Sequence, residues 1–176
     1  MQTMAHSAKH IAVLFLTFLI GQAFCYAYGD STGIRKNILK IARKIAKYET
    51  IDRGPVGFSA ELTKQFDRFI YLMNNATEDE LVMLTDHKNP KVRAYSFEIL
   101  VAKGYKNIRQ IINNHINDIS LIKIREGCMS RTEHINLYFL HFVTPRNNDK
   151  NPNIKFTDAE VKELEAKMTK AIGTKL

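Results

Sequence analysis

The chain has 176 residues, with 26 Lys and Arg against 18 Asp and Glu, and its formal net charge is +8. Hydrophobic residues make up 45% and charged residues 25% of the sequence, which is ordinary for a globular protein and excludes a disordered or fibrous chain. Two cysteines are too few for a small fold that depends on disulfides. The length fits one domain, or one domain with a small appendage.

The first thirty residues have the composition of a targeting or membrane segment. Residues 11–29 carry no charge, Lys9 precedes them, and small residues such as Ala27 and Gly29 lie at their end. This order predicts a secretory signal that is cleaved after Ala27 or Gly29, and hence a periplasmic or secreted protein. The alternative is an uncleaved inner-membrane anchor, because the stretch is just long enough to cross ~30 Å of hydrocarbon. The basic residues that follow it favour the cytoplasmic side of a membrane, as an anchor requires.

The segment after residue 30 begins with an amphipathic helix over residues 34–48. Isoleucines recur there at helical spacing, and the helix is expected to end near Thr50 because Arg53, Gly54 and Pro55 follow. A second helix is expected to start at Ser59 as N-cap and to close at Asn75. The next residues predict a capping box at the start of a short helix that stops before Asn89 and Pro90. That box pairs Thr77 with Glu80.

Further helices are expected along the rest of the chain. Pro90 suits the first turn of a helix that Gly104 ends, and residues 107–119 and 132–143 are periodic or strongly apolar. Residues 121–125 fit either a strand or a helix, and residues 121–131 as a whole stay open between strand, loop and helix. Residues 146–156 form a polar loop, and Thr157 with Glu160 predicts a second capping box that opens a terminal helix over residues 157–176. The predicted class is all-α, with a main helical domain over residues 30–145.

Residues 81–104 read LVMLTDHKNPKVRAYSFEILVAKG and resemble a HEAT-type repeat. The matching positions of the repeat are Leu81, Leu84, Asp86, Asn89, Pro90, Val92, Arg93, Ser96 and Leu100. The resemblance implies a short array of helical hairpins, an α-α superhelix, in which the Asp and Arg tie the turn to the helices. It also implies a binding scaffold, because arrays of this kind mostly hold other proteins. Since one hairpin cannot bury its apolar face alone, the neighbouring segments are expected to stack on it.

A basic segment over residues 35–47 is the main candidate binding surface for a polyanion or a partner. Six cations lie on the predicted first helix, mostly off its apolar face. They are Arg35, Lys36, Lys40, Arg43, Lys44 and Lys47. Such a helix suits anionic lipid, although a merely solvated face has the same composition.

Other polar residues give no pattern of a catalytic or metal site. His134 and His141 are two helical turns apart, about 10.5 Å, which is too far for one zinc ion. Cys128 is expected to be a buried small hydrophobe, and His115 a core histidine with satisfied hydrogen bonds. We therefore expect no enzyme activity and no cofactor, since no set of residues meets the geometric tests for an active site.

The sequence thus predicts an exported, protein-binding scaffold with HEAT-like architecture. The alternative is a membrane-anchored protein whose basic helix over residues 34–48 binds anionic lipid. Nucleic-acid binding, as in HEAT-like DNA glycosylases, is disfavoured because an export signal conflicts with it and because aromatic residues are not interleaved with the basic ones.

Overall fold

The computed structural model describes residues 33–148 and 154–174. Its helices are α1 (Lys36–Lys47), α2 (Lys64–Asn75), α3 (Glu78–Thr85), α4 (Pro90–Lys103), α5 (Ile108–Asn114), α6 (Ile135–Val143), α7 (Pro145–Asn148) and α8 (Asp158–Gly173). Its strands are β1 (Ile51–Val56), β2 (Leu121–Gly127) and β3 (Met129–His134). The signal or anchor predicted over residues 1–29 lies outside the described residues. Within the described ranges, no helix has the length and apolar character needed to span a bilayer.

The all-α prediction is wrong, because the described residues include a three-stranded mixed sheet in the order β1-β2-β3. β1 pairs with β2 in parallel, with Ile51 opposite Ile124 and Asp52 opposite Arg125. Gly54 does not form a turn that ends a helix: it has φ +87° within β1, where the register between β1 and β2 shifts. β1 tolerates Pro55, which lacks a backbone N–H, because β1 is an edge strand of the sheet.

The antiparallel hairpin of β2 and β3 resolves the segment that the sequence left open. Burial alternates along β2, with Ile122 and Ile124 inside and Lys123 exposed, which is the pattern of a strand with one covered face. Glu126 at the end of the ladder pairs with Met129, so Gly127 and Cys128 are the two central residues of the turn, and Gly127 has φ +56°. Glycine is the usual first residue of a two-residue hairpin turn of this kind. The helix expected over residues 132–143 therefore begins only at Ile135.

Several helix boundaries were predicted correctly from local capping signals. Both capping boxes are present, at Thr77 with Glu80 and at Thr157 with Glu160. α4 starts with Pro90 at its first position, and Gly104 ends it in the left-handed conformation. The predicted N-cap of α2 is wrong: Thr63 caps that helix, and Ser59 lies in a turn over residues 57–60 instead.

The core is built around α4, which contacts α1, α2, α3, α6 and β2. From Val92 to Val101, every α4 residue except Glu98 is buried. A helix that is covered on all sides has no amphipathic period, which suits a central position. Phe97 stacks on Phe139 of α6 with ring centroids 3.9 Å apart. Helix α8 completes the core by packing Leu164 and Met168 near α6.

Candidate functional site

Four cations form a single line on the outer side of α1, and we call them the α1 stripe. Lys36, Lys40, Arg43 and Lys47 follow one another at spacings of four, three and four residues, and all are exposed. Lys44 is exposed beside the line. The opposite side of the helix is buried in the core at Ile38, Ala42 and Ile45. The helix is thus amphipathic as predicted, and its apolar side is already occupied by the protein itself.

Arg35 differs from the other predicted cations because it is bound within the protein. Its Nε and Nη2 donate to the two carboxylate oxygens of Glu80 at 2.8 and 2.7 Å, and its backbone N–H donates to Oε1 at 2.9 Å. Glu80 also accepts the backbone N–H of Thr77. The side-chain hydrogen bonds from Arg35 lower the pKa of Glu80 to about 2, against the effect of burial, with help from the two backbone N–H groups. This pair joins the start of α1 to the start of α3.

The residues of the HEAT-like motif have structural positions. Arg93 donates to the backbone oxygen of His87 at 2.7 Å and to Ser120 Oγ at 2.9 Å, and it lies 2.8 Å from Asp118. It thereby fixes the turn after α3 to the segment before β2. Val92 and Leu100 are fully buried. Asp86 is mostly exposed, and its carboxylate lies 3.3 Å from His115 Nε2.

His115 is buried, as expected, beside two carboxylates. Its Nδ1 lies 3.4 Å from Asp118, and Asp86 faces its other ring nitrogen. Burial alone would raise the pKa of Asp118, but hydrogen bonds from His115 and Ser120 together with the positive charge of Arg93 hold it at about 2. This cluster supports the hairpin of α3 and α4 and leaves a small cavity of about 110 Å³ beside it.

A buried ion pair that the sequence analysis missed joins β1 to β2. The Asp52 side chain is completely buried, and Arg125 Nε and Nη2 donate to its two oxygens at 2.8 and 2.7 Å. Thr50 and Thr63 donate hydroxyl hydrogen bonds to the same carboxylate at 2.7 and 2.6 Å. Burial would raise the pKa of Asp52, but these hydrogen bonds lower it overall. All the strong acceptor positions of the carboxylate are thus filled from within the chain.

A second polar group that sequence reasoning missed centres on Glu98 of α4. Arg53 Nε lies 3.4 Å from its carboxylate, and Tyr138 donates to it at 2.7 Å. Burial raises the pKa of Glu98 even though Arg53 opposes that change. The Arg53 guanidinium also lies 4.9 Å from the centre of the Phe142 ring and 3.4 Å from Glu126. A carboxyl group of this kind can hold a proton, but its neighbours enclose it on several sides.

The most exposed apolar residues lie at one end of the sheet. The backbone N–H of Gly57 donates to Gly127 O at 2.9 Å, which binds the turn after β1 to the hairpin turn. We call these two turns and their flanks, residues 57–62 and 127–130, the sheet tip. Phe58 is 103% exposed, Met129 70% and Leu62 63%. A cleft of about 360 Å³ lies between the two turns. The turn after β1 lines it with Ser59 and Glu61, and the hairpin turn lines it with Cys128, Met129 and Ser130.

The cysteine and histidines of the hairpin region do not come together. Cys128 is exposed at the hairpin turn, so the prediction of a buried thiol is wrong. His134 contacts the backbone oxygen of Ile119 at 2.7 Å through Nδ1, and His141 is exposed on α6. Within the parts of the chain that the structure describes, no three His, Cys, Asp or Glu side chains are grouped to hold a metal ion.

The comparisons with known proteins add no family to this picture. The chain matches no protein-family model, and neither the curated proteins nor the solved structures include a significant match to it. The HEAT-type resemblance therefore rests on residues 81–104 alone.

Proposed function

We propose that this chain is a protein-binding module that holds an extended peptide segment of a partner protein at the sheet tip. The observation that carries the proposal is the complete exposure of Phe58 beside a cleft that Met129 lines. Exposed aromatic and methionine side chains are enriched in the centres of protein interfaces. Phe58 is also held in place rather than on a free tail, because the Gly57–Gly127 hydrogen bond and the pairing of Val56 with Glu61 fix its turn at both ends.

The free edge of β3 favours an extended partner. Residues Met129–Thr132 are exposed, and within the described ranges their backbone is paired only with β2. Alternate residues of such an edge direct their N–H and C=O groups outwards, where another strand can pair with them. A peptide that adds to β3 gains main-chain hydrogen bonds along the edge and places a side chain in the cleft at Met129.

The charges near this edge favour a partner selected by apolar contacts. Arg131 lies 3.5 Å from both Glu126 and Glu133, so the cation of the edge is already balanced by two acids. Arg125, at the back of the cleft, is bound to Asp52. A segment with a large apolar side chain is therefore the partner that fits best.

A selection from a phage-displayed library of random peptides tests this function on the full chain. We expect enriched peptides to carry a large apolar residue, and we expect the double variant Phe58→Ser, Met129→Ser to bind them about 30-fold more weakly, as for an interface hot spot. Leu121→Ser is the matched control, because Leu121 is 58% exposed at the opposite end of the same hairpin. A library without enriched peptides, or equal affinities for the double variant and the parent chain, would refute the proposal.

A further inference from the structure

The α1 stripe carries positive charge that nothing in the described structure neutralises. Within residues 33–148 and 154–174, no ion pair involves Lys36, Lys40, Arg43 or Lys47, and α1 contains no acidic residue. Like charges at such spacings destabilise a helix, and a lysine at its N-terminal end also opposes the helix dipole. The protein therefore maintains this line of charge at some cost to the stability of α1.

The acids nearest to α1 are mostly engaged elsewhere. Glu80 is bound by Arg35, and Glu49 lies 2.7 Å from Lys123. On α2, Asp67 is exposed, but Arg68 extends towards α1 and donates to the backbone oxygen of Lys44. The surface around the C-terminal half of α1 is consequently basic.

The shape of the charge favours a flat anionic surface. The stripe runs along about 16 Å of helix, with successive charges about one turn apart. Three of its four members are lysines, whose compact ammonium groups suit diffuse negative charge better than the forked contacts made by arginine. Tyr48, the aromatic residue at the end of α1, has the guanidinium groups of Arg68 and Arg125 at 5.4 and 5.9 Å from the centre of its ring. A base that stacked on this ring would have to compete with these two contacts.

We propose that the α1 stripe is a docking site for an anionic phospholipid bilayer. Because Ile38, Ala42 and Ile45 lie in the protein core, α1 does not insert into the bilayer. It lies on the headgroups and binds them by electrostatic attraction alone, which makes the interaction sensitive to salt. The sequence places this helix seven residues after the uncharged stretch 11–29, so any attachment through that stretch would keep α1 near the membrane surface.

Co-sedimentation of the full chain with vesicles tests the docking site. The probes are vesicles of phosphatidylcholine with and without phosphatidylglycerol, at low and high salt. The ratio of the partition coefficients for the two vesicle types isolates the electrostatic part from any contribution of residues 11–29. We expect that ratio to fall about 1000-fold when Lys36, Lys40, Arg43 and Lys47 are all changed to Gln, at about 1 kcal/mol for each cation, and to approach one at high salt in the parent chain.

Two control variants separate the stripe from net charge and from folding. Changing Lys103, Lys106, Lys162 and Lys170 to Gln removes the same charge from exposed positions elsewhere and should leave binding within about twofold. Changing Lys36, Lys40 and Lys47 to Arg keeps the charge and should keep the binding. Equal losses in the stripe variant and the charge-matched control would overturn the proposal. So would vesicle binding that is unchanged in the stripe variant while its affinity for DNA falls, which would assign the stripe to nucleic acid.

Discussion

The Asp52 carboxylate is completely buried and is held by the Arg125 guanidinium through two hydrogen bonds of 2.7 and 2.8 Å. The two residues lie opposite each other in the parallel pairing of β1 with β2, although 73 positions separate them in the sequence. Removing one partner of a buried pair leaves an uncompensated charge inside the protein, which costs more than the pair itself contributes. The pair therefore makes the register of β1 on β2 hard to change.

Replacement of Arg125 by Ala should destabilise the protein by about 3 kcal/mol, because Asp52 then keeps only the hydroxyl groups of Thr50 and Thr63. Lys123→Ala is the matched control: it removes a neighbouring cation of β2 whose ion pair with Glu49 is exposed, and it should cost less than about 1 kcal/mol. Urea denaturation of both variants measures the difference. Equal losses of stability would contradict the buried role of Asp52.

Acid should destabilise the fold through Glu80 and Asp118, whose pKa values are both lowered to about 2. An unfolded chain has carboxyl pKa values of about 4, so it binds more protons than the folded chain between about pH 5 and pH 2. The stabilisation that these groups provide is complete above that range and is lost as the pH falls through it. Glu80→Gln should flatten this dependence, whereas Glu78→Gln, on the exposed first turn of the same helix, should not. Chemical denaturation at a series of pH values provides the comparison, and identical slopes for the two variants would exclude a role for Glu80.

Glu98 should destabilise the fold as the pH rises, in contrast to Glu80 and Asp118, because burial raises its pKa in the folded chain. A carboxyl group with a raised folded-state pKa stabilises the protein fully only below its unfolded pKa, and that contribution is lost as the pH rises through the folded pKa. The stability of Glu98→Gln relative to the parent chain should therefore increase between pH values of about 4 and 7. Denaturation curves at both pH values test this, and a relative stability that falls with pH would mean that Arg53 dominates over burial.

The core position of Leu100 can be tested by truncation. Leu100→Ala should cost about 2–5 kcal/mol, because the side chain is fully buried on the central helix α4. Leu62→Ala, at a position that is 63% exposed, should change stability by less than about 0.5 kcal/mol. Thermal or urea unfolding measures both values. A loss of stability below about 0.5 kcal/mol for Leu100→Ala would contradict the position of α4 at the centre of the core.

The helices were predictable where their signals are local. Thr77 with Glu80, and Asn89 before Pro90, determine helix starts through groups within three residues of each other, and Gly104 ends α4 by its own backbone conformation. These signals act in any tertiary context, because they satisfy the backbone groups that every helix end leaves unpaired.

The sheet was not predictable in the same way. Gly54 and Pro55 resemble a turn, and they become part of β1 only because β2 pairs with that segment from far along the chain. Residues 132–134 continue the pattern of α6, but pairing with Lys123, Ile122 and Leu121 makes them a strand. Long-range pairing overrode the local preference in both places.

The candidate surfaces were predictable to different degrees. The cations of the α1 stripe could be found from spacing alone, since a helix face depends only on its own residues. The ion pair of Arg35 with Glu80 could not be found from the sequence, because the two residues lie 45 positions apart. The sheet tip was missed for the same reason: Phe58 and Met129 share a surface only after β1 and β2 pair. One signal for the sheet tip was present in the sequence: Phe58 directly follows Gly57, and a glycine often marks a turn, which lies at the surface.

The labelling rate of Cys128 tests peptide binding at the sheet tip most directly, because this exposed thiol lines the cleft between the two turns. The measurement uses the full chain with Cys25 changed to Ser, a maleimide reagent, and a cysteine-free peptide from the selection. At a peptide concentration of about ten times Kd, where about a tenth of the sites are free, labelling should slow about tenfold. A rate that the bound peptide leaves unchanged would place the binding site elsewhere and contradict the account.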